Sequence, residues 1–134
     1  MSPSDSEPAG NQPGQTLAVS AELLYIANLL LLPGVAFLIL LWLWRKHRLD
    51  APLLARCHLK QTIAASIWAG ALLVFANGAI ILLGGYHQPS TWVIAIIYFT
   101  VFHSTFVLLG VLGLAQAMAG KSYVYPLIGR RCDE

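Results

Sequence analysis

One histidine stands alone in the middle of a long apolar stretch. Between Lys60 and Lys121 the sequence contains no Asp, Glu, Lys or Arg, and His103 lies near the centre of its last apolar run. An ionisable side chain inside a membrane segment is a functional candidate, for proton relay or ligand binding. A structural role competes with this one, because Pro33 frees the carbonyl of Leu29 and a neutral imidazole can donate to it. We favour the structural interpretation.

Two asparagines, Asn28 and Asn77, fall at matching depths on neighbouring predicted helices. Paired amides between transmembrane helices contribute about 1 kcal/mol, so an interhelical hydrogen bond is the favoured interpretation. The alternative is that both amides line a polar transport path together with His103.

The remaining polar side chains do not form a recognisable catalytic or metal motif. Cys57, His58, His47 and Cys132 offer four soft ligands, but they lack the closely spaced pair typical of structural zinc sites. Haem ligation at the depth of His103 needs a second histidine on a facing helix, and the sequence offers none there. We therefore expect a protein that is not an enzyme and has no cofactor of its own. A haem shared with another subunit stays open.

The elements that position these residues follow from composition. The 134 residues are 57% hydrophobic and 10% charged, with a mean hydropathy of +0.68, and soluble domains carry roughly 25% charged residues. Two charge-free stretches, 23–44 and 61–120, have the lengths of one and two membrane helices. The sequence thus predicts an all-α polytopic membrane protein with three transmembrane helices, at about 21–44, 59–83 and 92–118. The net charge of +2 forms no stripe of the kind that binds nucleic acid.

The cations predict how the chain is oriented. All eight Lys and Arg residues lie in the first loop or the C-terminal tail, so the positive-inside rule places the N-terminus outside and the C-terminus inside. Glu22 then lies at the outer end of the first span. Residues 1–16 are predicted to be a disordered extracytoplasmic tail, 17–120 the membrane domain and 121–134 a short cytoplasmic tail. Both cysteines are expected to be reduced thiols on the cytoplasmic side.

Small residues predict where the helices pack. Pro33 and Gly34 interrupt the first span, where we expect a kink. Small side chains lie along one face of each of the other two predicted helices, which lets helices approach closely. The predicted packing residues are Ser66, Gly70, Gly110, Gly113 and Ala117.

The basic first loop has two interpretations. Its cations either rest on anionic lipid, at about 1 kcal/mol each, or dock an acidic cytoplasmic partner. We favour the lipid contact. The residues concerned are Arg45, Lys46, Arg48, Arg56 and Lys60.

Two short motifs resemble a known family. The "HLKQTI" stretch at 58–63 and the "GKSYVYPLIGR" stretch at 120–130 resemble elements of small three-helix bacterial membrane proteins of unknown function. Those proteins are distantly related to the Tic-type chloroplast inner-envelope import component. The resemblance implies the three-span architecture, a bacterial inner membrane and a link to transport or complex assembly. The matching residues are His58, Lys60, Gln61, Tyr123, Tyr125, Pro126 and Leu127.

Three functions follow as hypotheses. The first is a non-enzymatic accessory or assembly subunit that contacts membrane lipids and other integral membrane subunits. The second is a homo-oligomeric pore or transport component lined by His103, Asn28 and Asn77. The third is a subunit of an electron-transfer complex that shares a cofactor with a neighbour.

Overall fold

The computed structural model describes residues 13–123, and helices are the only regular secondary structure in that range. The predicted all-α class is confirmed. In chain order the helices are α1 (Gln15–Leu30), α2 (Val35–His47), α3 (Leu53–Gly70), a π-helical segment (Ala71–Ala76), α4 (Asn77–Gly84) and α5 (Pro89–Met118).

Within residues 13–123, two helices are long and apolar enough to cross a membrane. The α3–π–α4 run, Leu53–Gly84, has 32 residues, and α5 has 30. At 1.5 Å per residue these are about 48 and 45 Å long, against a hydrocarbon core of about 30 Å. Only 6% and 17% of the most apolar 18-residue stretch of each helix is buried inside the fold, whereas the core helix of a soluble protein is mostly buried.

The first predicted span is instead a hairpin of two short helices. Helix α1 ends at Leu30, the chain turns, and α2 starts at Val35. Gly34 has a φ of 85°, a conformation that favours glycine, and its N–H donates to Asn28 Oδ1 over 2.9 Å. Pro33, which cannot donate to a helix, precedes it. The Pro-Gly pair therefore ends the helix instead of kinking it.

The hairpin begins and ends at the same end of the molecule. Gln15 Nε2, in the first turn of α1, donates to the carbonyl of Met118 in the last turn of α5 over 2.8 Å. His47 at the end of α2 leads within a few residues to the start of α3. With 16 and 13 residues, α1 and α2 are about 24 and 20 Å long, too short to cross the hydrocarbon core.

The structure thus does not support three spans, nor opposite sides for the start of α1 and the end of α5. Residues 21–44 contain enough apolar side chains for one span, but the reversal at Leu31–Gly34 divides them between two antiparallel helices. Glu22 also differs from its predicted position at an outer end, because it is buried beside α3.

The hairpin divides the molecule into two unlike halves. The hairpin half comprises α1, α2 and residues 53–70 and 104–118. There α1 packs against α3 and α5, α2 packs against α1 and α3, and the core centres on Ala21, Leu40 and Leu59. The open half comprises residues 71–103. There, α4 and the first part of α5 have mainly each other as neighbours. Leu82 and Leu83 there are 84% and 90% exposed.

Cys57 differs from the expected reduced thiol. It is buried and disulfide-bonded in the structure. The sequence contains one other cysteine, Cys132, which lies outside the described residues. The expectation depended on the predicted compartment and not on the distance between the two positions.

Candidate functional site

The most polar point of the interior is a contact between Glu22 of α1 and His58 of α3. Glu22 Oε1 lies 2.6 Å from His58 Nδ1, and neither side chain is exposed to solvent. His58 Nε2 lies 2.9 Å from the carbonyl oxygen of Lys121, just beyond α5. One imidazole therefore connects the hairpin, the first long helix and the end of the second.

The hydrogen bonds of His58 determine the total charge of this pair. A carbonyl oxygen only accepts, so Nε2 carries the hydrogen that is shared with Lys121. The short contact between Nδ1 and Glu22 Oε1 then needs one hydrogen, held by an imidazolium or by a carboxylic acid. In both forms the Glu22–His58 pair is neutral overall, which reduces the cost of its burial.

Other polar side chains complete this centre. Gln61 and Thr62, one turn beyond His58 on α3, are fully buried. The Thr62 hydroxyl lies within hydrogen-bonding distance of the carbonyls of His58 and Leu59, at 2.9 and 3.1 Å. Gln15 and His58 both bind carbonyls at or just beyond the C-terminal end of α5, groups that the end of a helix leaves unpaired. We call Glu22, His58, Gln61 and Thr62 the polar centre.

A tyrosine one turn further along α1 fixes the hairpin against α5. The Tyr25 hydroxyl donates to the carbonyl of Phe106 over 3.1 Å, and the ring is fully buried. Gly110 makes this approach feasible, because a Cβ there would lie 2.8 Å from the Tyr25 ring and 3.0 Å from Ile26. The predicted packing residues Gly110, Gly113 and Ala117 are all buried on the face of α5 that contains Phe106.

The tip of the hairpin borders a cleft in the middle of the molecule. This central cleft has a volume of about 490 Å³ and lies between the Pro33–Gly34 turn, residues 66–75 of the first long helix, and Phe99 and His103 of α5. Most of its lining is apolar, including Phe37 and Phe75. A cavity of this size is in the range that small ligands or packed side chains fill.

Two buried polar atoms of the cleft residues have no hydrogen-bond partner within the described part of the chain. They are Ser66 Oγ and His103 Nδ1. Ser66 is 5% exposed, and the ring of His103 stacks on Phe99 with their centroids 5.1 Å apart. Gly70 lines the same cleft and has open space where a Cβ would be.

The two asparagines have different surroundings. Asn28 lines the cleft and accepts the N–H of Gly34. Asn77 Oδ1 is buried and has no partner among residues 13–123, so Asn28 does not donate to it. His103 does not reach the carbonyl of Leu29 through Nδ1.

A π-helical segment forms one wall of the cleft. Ala71, Leu73, Val74 and Phe75 all belong to this segment. The Tyr98 hydroxyl from α5 donates to the carbonyl of Leu72 over 2.9 Å, which compensates for the irregular backbone bonding there. Such segments are frequent at functional sites.

The basic loop follows α2 and lies at the end of the hairpin half opposite to the central cleft. Arg48 is positioned over the ring of Trp44, 5.4 Å from its centroid, and Lys46 over Trp42 at 4.9 Å. Arg45 is exposed. Arg48, Arg56 and Lys60 line a common cavity.

The family-like motif contributes to the polar centre through His58 and Gln61. Tyr123 packs beside the core pair Tyr25 and Ala65. The other motif residues Tyr125, Pro126 and Leu127 lie outside the described residues.

Sequence reasoning missed Glu22 as the partner of His58, and missed Tyr25, Thr62 and Gln15. A signal was present, because a carboxylate that opens an apolar run needs a partner when it is buried. No group of three metal-ligating side chains occurs within residues 13–123. No protein-family model, no curated protein and no solved structure matches the chain.

Proposed function

We propose that this chain is a non-enzymatic accessory or assembly subunit of a bacterial inner-membrane complex. In this proposal it crosses the membrane with Leu53–Gly84 and α5, and its open half receives a helix of another subunit. The hairpin half acts as a rigid base.

The observation that carries the proposal is the uneven covering of the two long helices. The hairpin covers only one half of them, and the open half presents side chains such as Val74 (65% exposed), Phe75 (77%) and Leu82 (84%). Lipid can cover an apolar surface without any protein partner, so the exposed apolar side chains alone do not predict one. The argument for a helix of another subunit comes from the shape of this surface. The central cleft interrupts this surface and gives a partner side chain a place to insert.

The hydrogen bonds of the buried polar side chains favour a scaffold role for this chain. Glu22, His58, Tyr25 and Gln15 are hydrogen-bonded across helices or to helix ends. Interhelical polar contacts of this kind stabilise membrane helix bundles by roughly 1 kcal/mol each. In the proposal they hold the hairpin in place, so that the cleft keeps its shape when a partner binds.

The family resemblance remains part of the proposal. His58 and Gln61, which carry one of its two motifs, are residues of the polar centre. The link to complex assembly that this resemblance implies agrees with a scaffold role. The basic loop is assigned to the cytoplasmic surface by the positive-inside rule.

A second candidate is a homo-oligomeric pore or transport component. In its favour, Asn28 and His103 line one cleft, and His103 Nδ1 is unpartnered within the described residues. The mainly apolar lining of the cleft favours the scaffold, because a path for ions or polar solutes needs polar groups along its length. A cofactor shared with a neighbouring subunit would need its second ligand from that neighbour.

The experiment is purification of the tagged protein in mild detergent, followed by native mass determination and an absorbance scan. We expect other integral membrane subunits at fixed stoichiometry, and any chromophore would identify the class of complex. A colourless homo-oligomer would support the pore instead, and a lone monomer would contradict both candidates.

A cleft variant tests the contact surface. Gly70→Leu fills the central cleft without meeting any atom within 4 Å of the new Cβ, so the chain's own fold should tolerate it. We expect it to lose the partner subunits. Ala115→Leu, a similar enlargement at an exposed position of the hairpin half, is the control and should retain them.

A further inference from the structure

A second cavity lies between the end of α2, the loop that follows it and the start of α3. It has a volume of about 250 Å³ and is lined by Trp44, Arg48, Leu49, Arg56 and Lys60. Three of these five side chains are cations and the other two are apolar.

Arg56 lines this cavity and has an unsatisfied donor. Its Nε is buried and has no hydrogen-bond partner within residues 13–123. Leaving a charged donor without a partner costs more than leaving a neutral one. No ion pair within the described residues neutralises Arg56 or Arg48, and Asp50, the acidic residue nearest in sequence, is exposed. An anion in the cavity would supply the counter-charge that both guanidinium groups lack within the described residues.

Arg48 is the other guanidinium of the cavity. Its stacking on Trp44 restrains it, so part of the ordering cost of anion binding is already met. A guanidinium presents its N–H groups in a fork that matches the oxygens of a phosphate. Two guanidinium groups and the Lys60 ammonium lining one cavity therefore favour a phosphate ligand.

We propose that this cavity binds the phosphate of an anionic phospholipid, with Arg48 and Arg56 as the ligands of the phosphate oxygens. The sequence alone predicts only a diffuse contact between five cations and lipid, whereas the geometry selects these two. The proposal does not depend on the assembly role, since it concerns the opposite side of the hairpin half.

The apolar part of the lining favours a lipid over a soluble phosphate. Leu49 is 81% exposed, and the Trp44 ring lines the same cavity. Tryptophan is enriched at the membrane interface, where its ring lies at headgroup depth. The cavity adjoins the first turns of the candidate span that begins at Leu53, which places a bound phosphate at that depth.

The test uses the full chain in nanodiscs that contain equal amounts of phosphatidylglycerol and phosphatidylcholine with identical acyl chains. Native mass spectrometry after release measures the ratio of the two lipids that remain bound. The variants are Arg56→Gln and Arg48→Gln. Arg45→Gln removes the same charge from the same loop region outside the cavity, and serves as the matched control.

We expect wild-type protein to retain phosphatidylglycerol preferentially, and each of the two variants to lose about tenfold in that preference, the effect of one charge-assisted hydrogen bond. Arg45→Gln should change it less than about twofold, as an exposed charge in screened solvent. An equal loss in all three variants, or no preference in the wild type, would overturn the proposal. Displacement of the lipid by excess inorganic phosphate would also overturn it, in favour of a soluble anion. Because Arg48 projects from the surface, its variant remains informative if Arg56→Gln misfolds.

Discussion

Glu22 and His58 approach within 2.6 Å between α1 and α3, where neither has any solvent exposure. This contact attaches a hairpin that is too short to cross a membrane to a helix that is long enough to do so. Buried pairs of this kind are weak stabilisers relative to apolar residues, but the loss of one partner is costly. The pair therefore specifies where the hairpin lies more than it adds to stability.

Removal of His58 should expose this dependence. His58→Leu leaves the Glu22 carboxylate buried and the Lys121 carbonyl without its donor, so we expect a loss of about 3–5 kcal/mol in the free energy of unfolding. Glu22→Leu should cost a similar amount. The measurement is reversible unfolding in detergent micelles by titration with a denaturing surfactant.

Two further variants separate the energetic contribution of the Glu22–His58 contact from the contributions of neighbouring residues. The double variant Glu22→Leu/His58→Leu should cost less than the sum of the single variants, because neither polar group is left buried without the other. Glu22→Gln should cost only about 1 kcal/mol, since an amide can donate to Nδ1 of a neutral His58. Strict additivity, or a Gln variant as unstable as the Leu variant, would argue against a neutral pair that shares one hydrogen.

Gly110 gives a second prediction about packing. Gly110→Ala places a Cβ 2.8 Å from the Tyr25 ring, which its hydroxyl bond to Phe106 holds in place, so we expect a loss of about 1–3 kcal/mol. Gly70→Ala has free space around the new Cβ and serves as the control. The same unfolding assay measures both. If Gly110→Ala and Gly70→Ala destabilised the protein equally, α1 and α5 would not approach as closely at Gly110 as described.

His103 supports a different expectation. Because His103 Nδ1 has no partner within the described residues, His103→Leu should leave the unfolding free energy of the isolated chain within about 0.5 kcal/mol of wild type. In the assembly proposal it should weaken retention of partner subunits, measured by native mass. Intact assembly with lost ion flux would instead favour the pore, and a large loss of stability would show that the imidazole has a structural partner.

Local sequence features predicted the helices well and their connections poorly. The long charge-free stretch after Lys60 contains all of one candidate span and most of the other, and their predicted limits of 59–83 and 92–118 agree within six residues with Leu53–Gly84 and Pro89–Met118. The first stretch has the same apolar character as the others, so hydropathy could not separate one span from a hairpin. The signals that could were Pro33 and Gly34, interpreted as a kink.

The sequence pattern also could not predict which residues of different helices contact each other. The small face of α5 was recognised from Gly110, Gly113 and Ala117, yet its close neighbour at Gly110 is α1, which supplies Tyr25 and Ile26. Glu22 and His58 are 36 residues apart, and their contact depends on the reversal at Leu31–Gly34. Once the reversal is known, a buried carboxylate and a buried imidazole become obvious partners.

The most direct test of the hairpin is the side of the membrane on which α1 begins. In a background with Cys57 and Cys132 replaced by serine, single cysteines at Thr16, Leu49 and His87, all exposed, report the start of α1, the basic loop and the turn between the long helices. A membrane-impermeant maleimide applied to right-side-out and inverted vesicles labels each position from one side. We expect Thr16 to be labelled from the same side as Leu49, opposite to His87. Labelling of Thr16 together with His87 would mean that residues 15–47 cross the membrane once, and would contradict the hairpin.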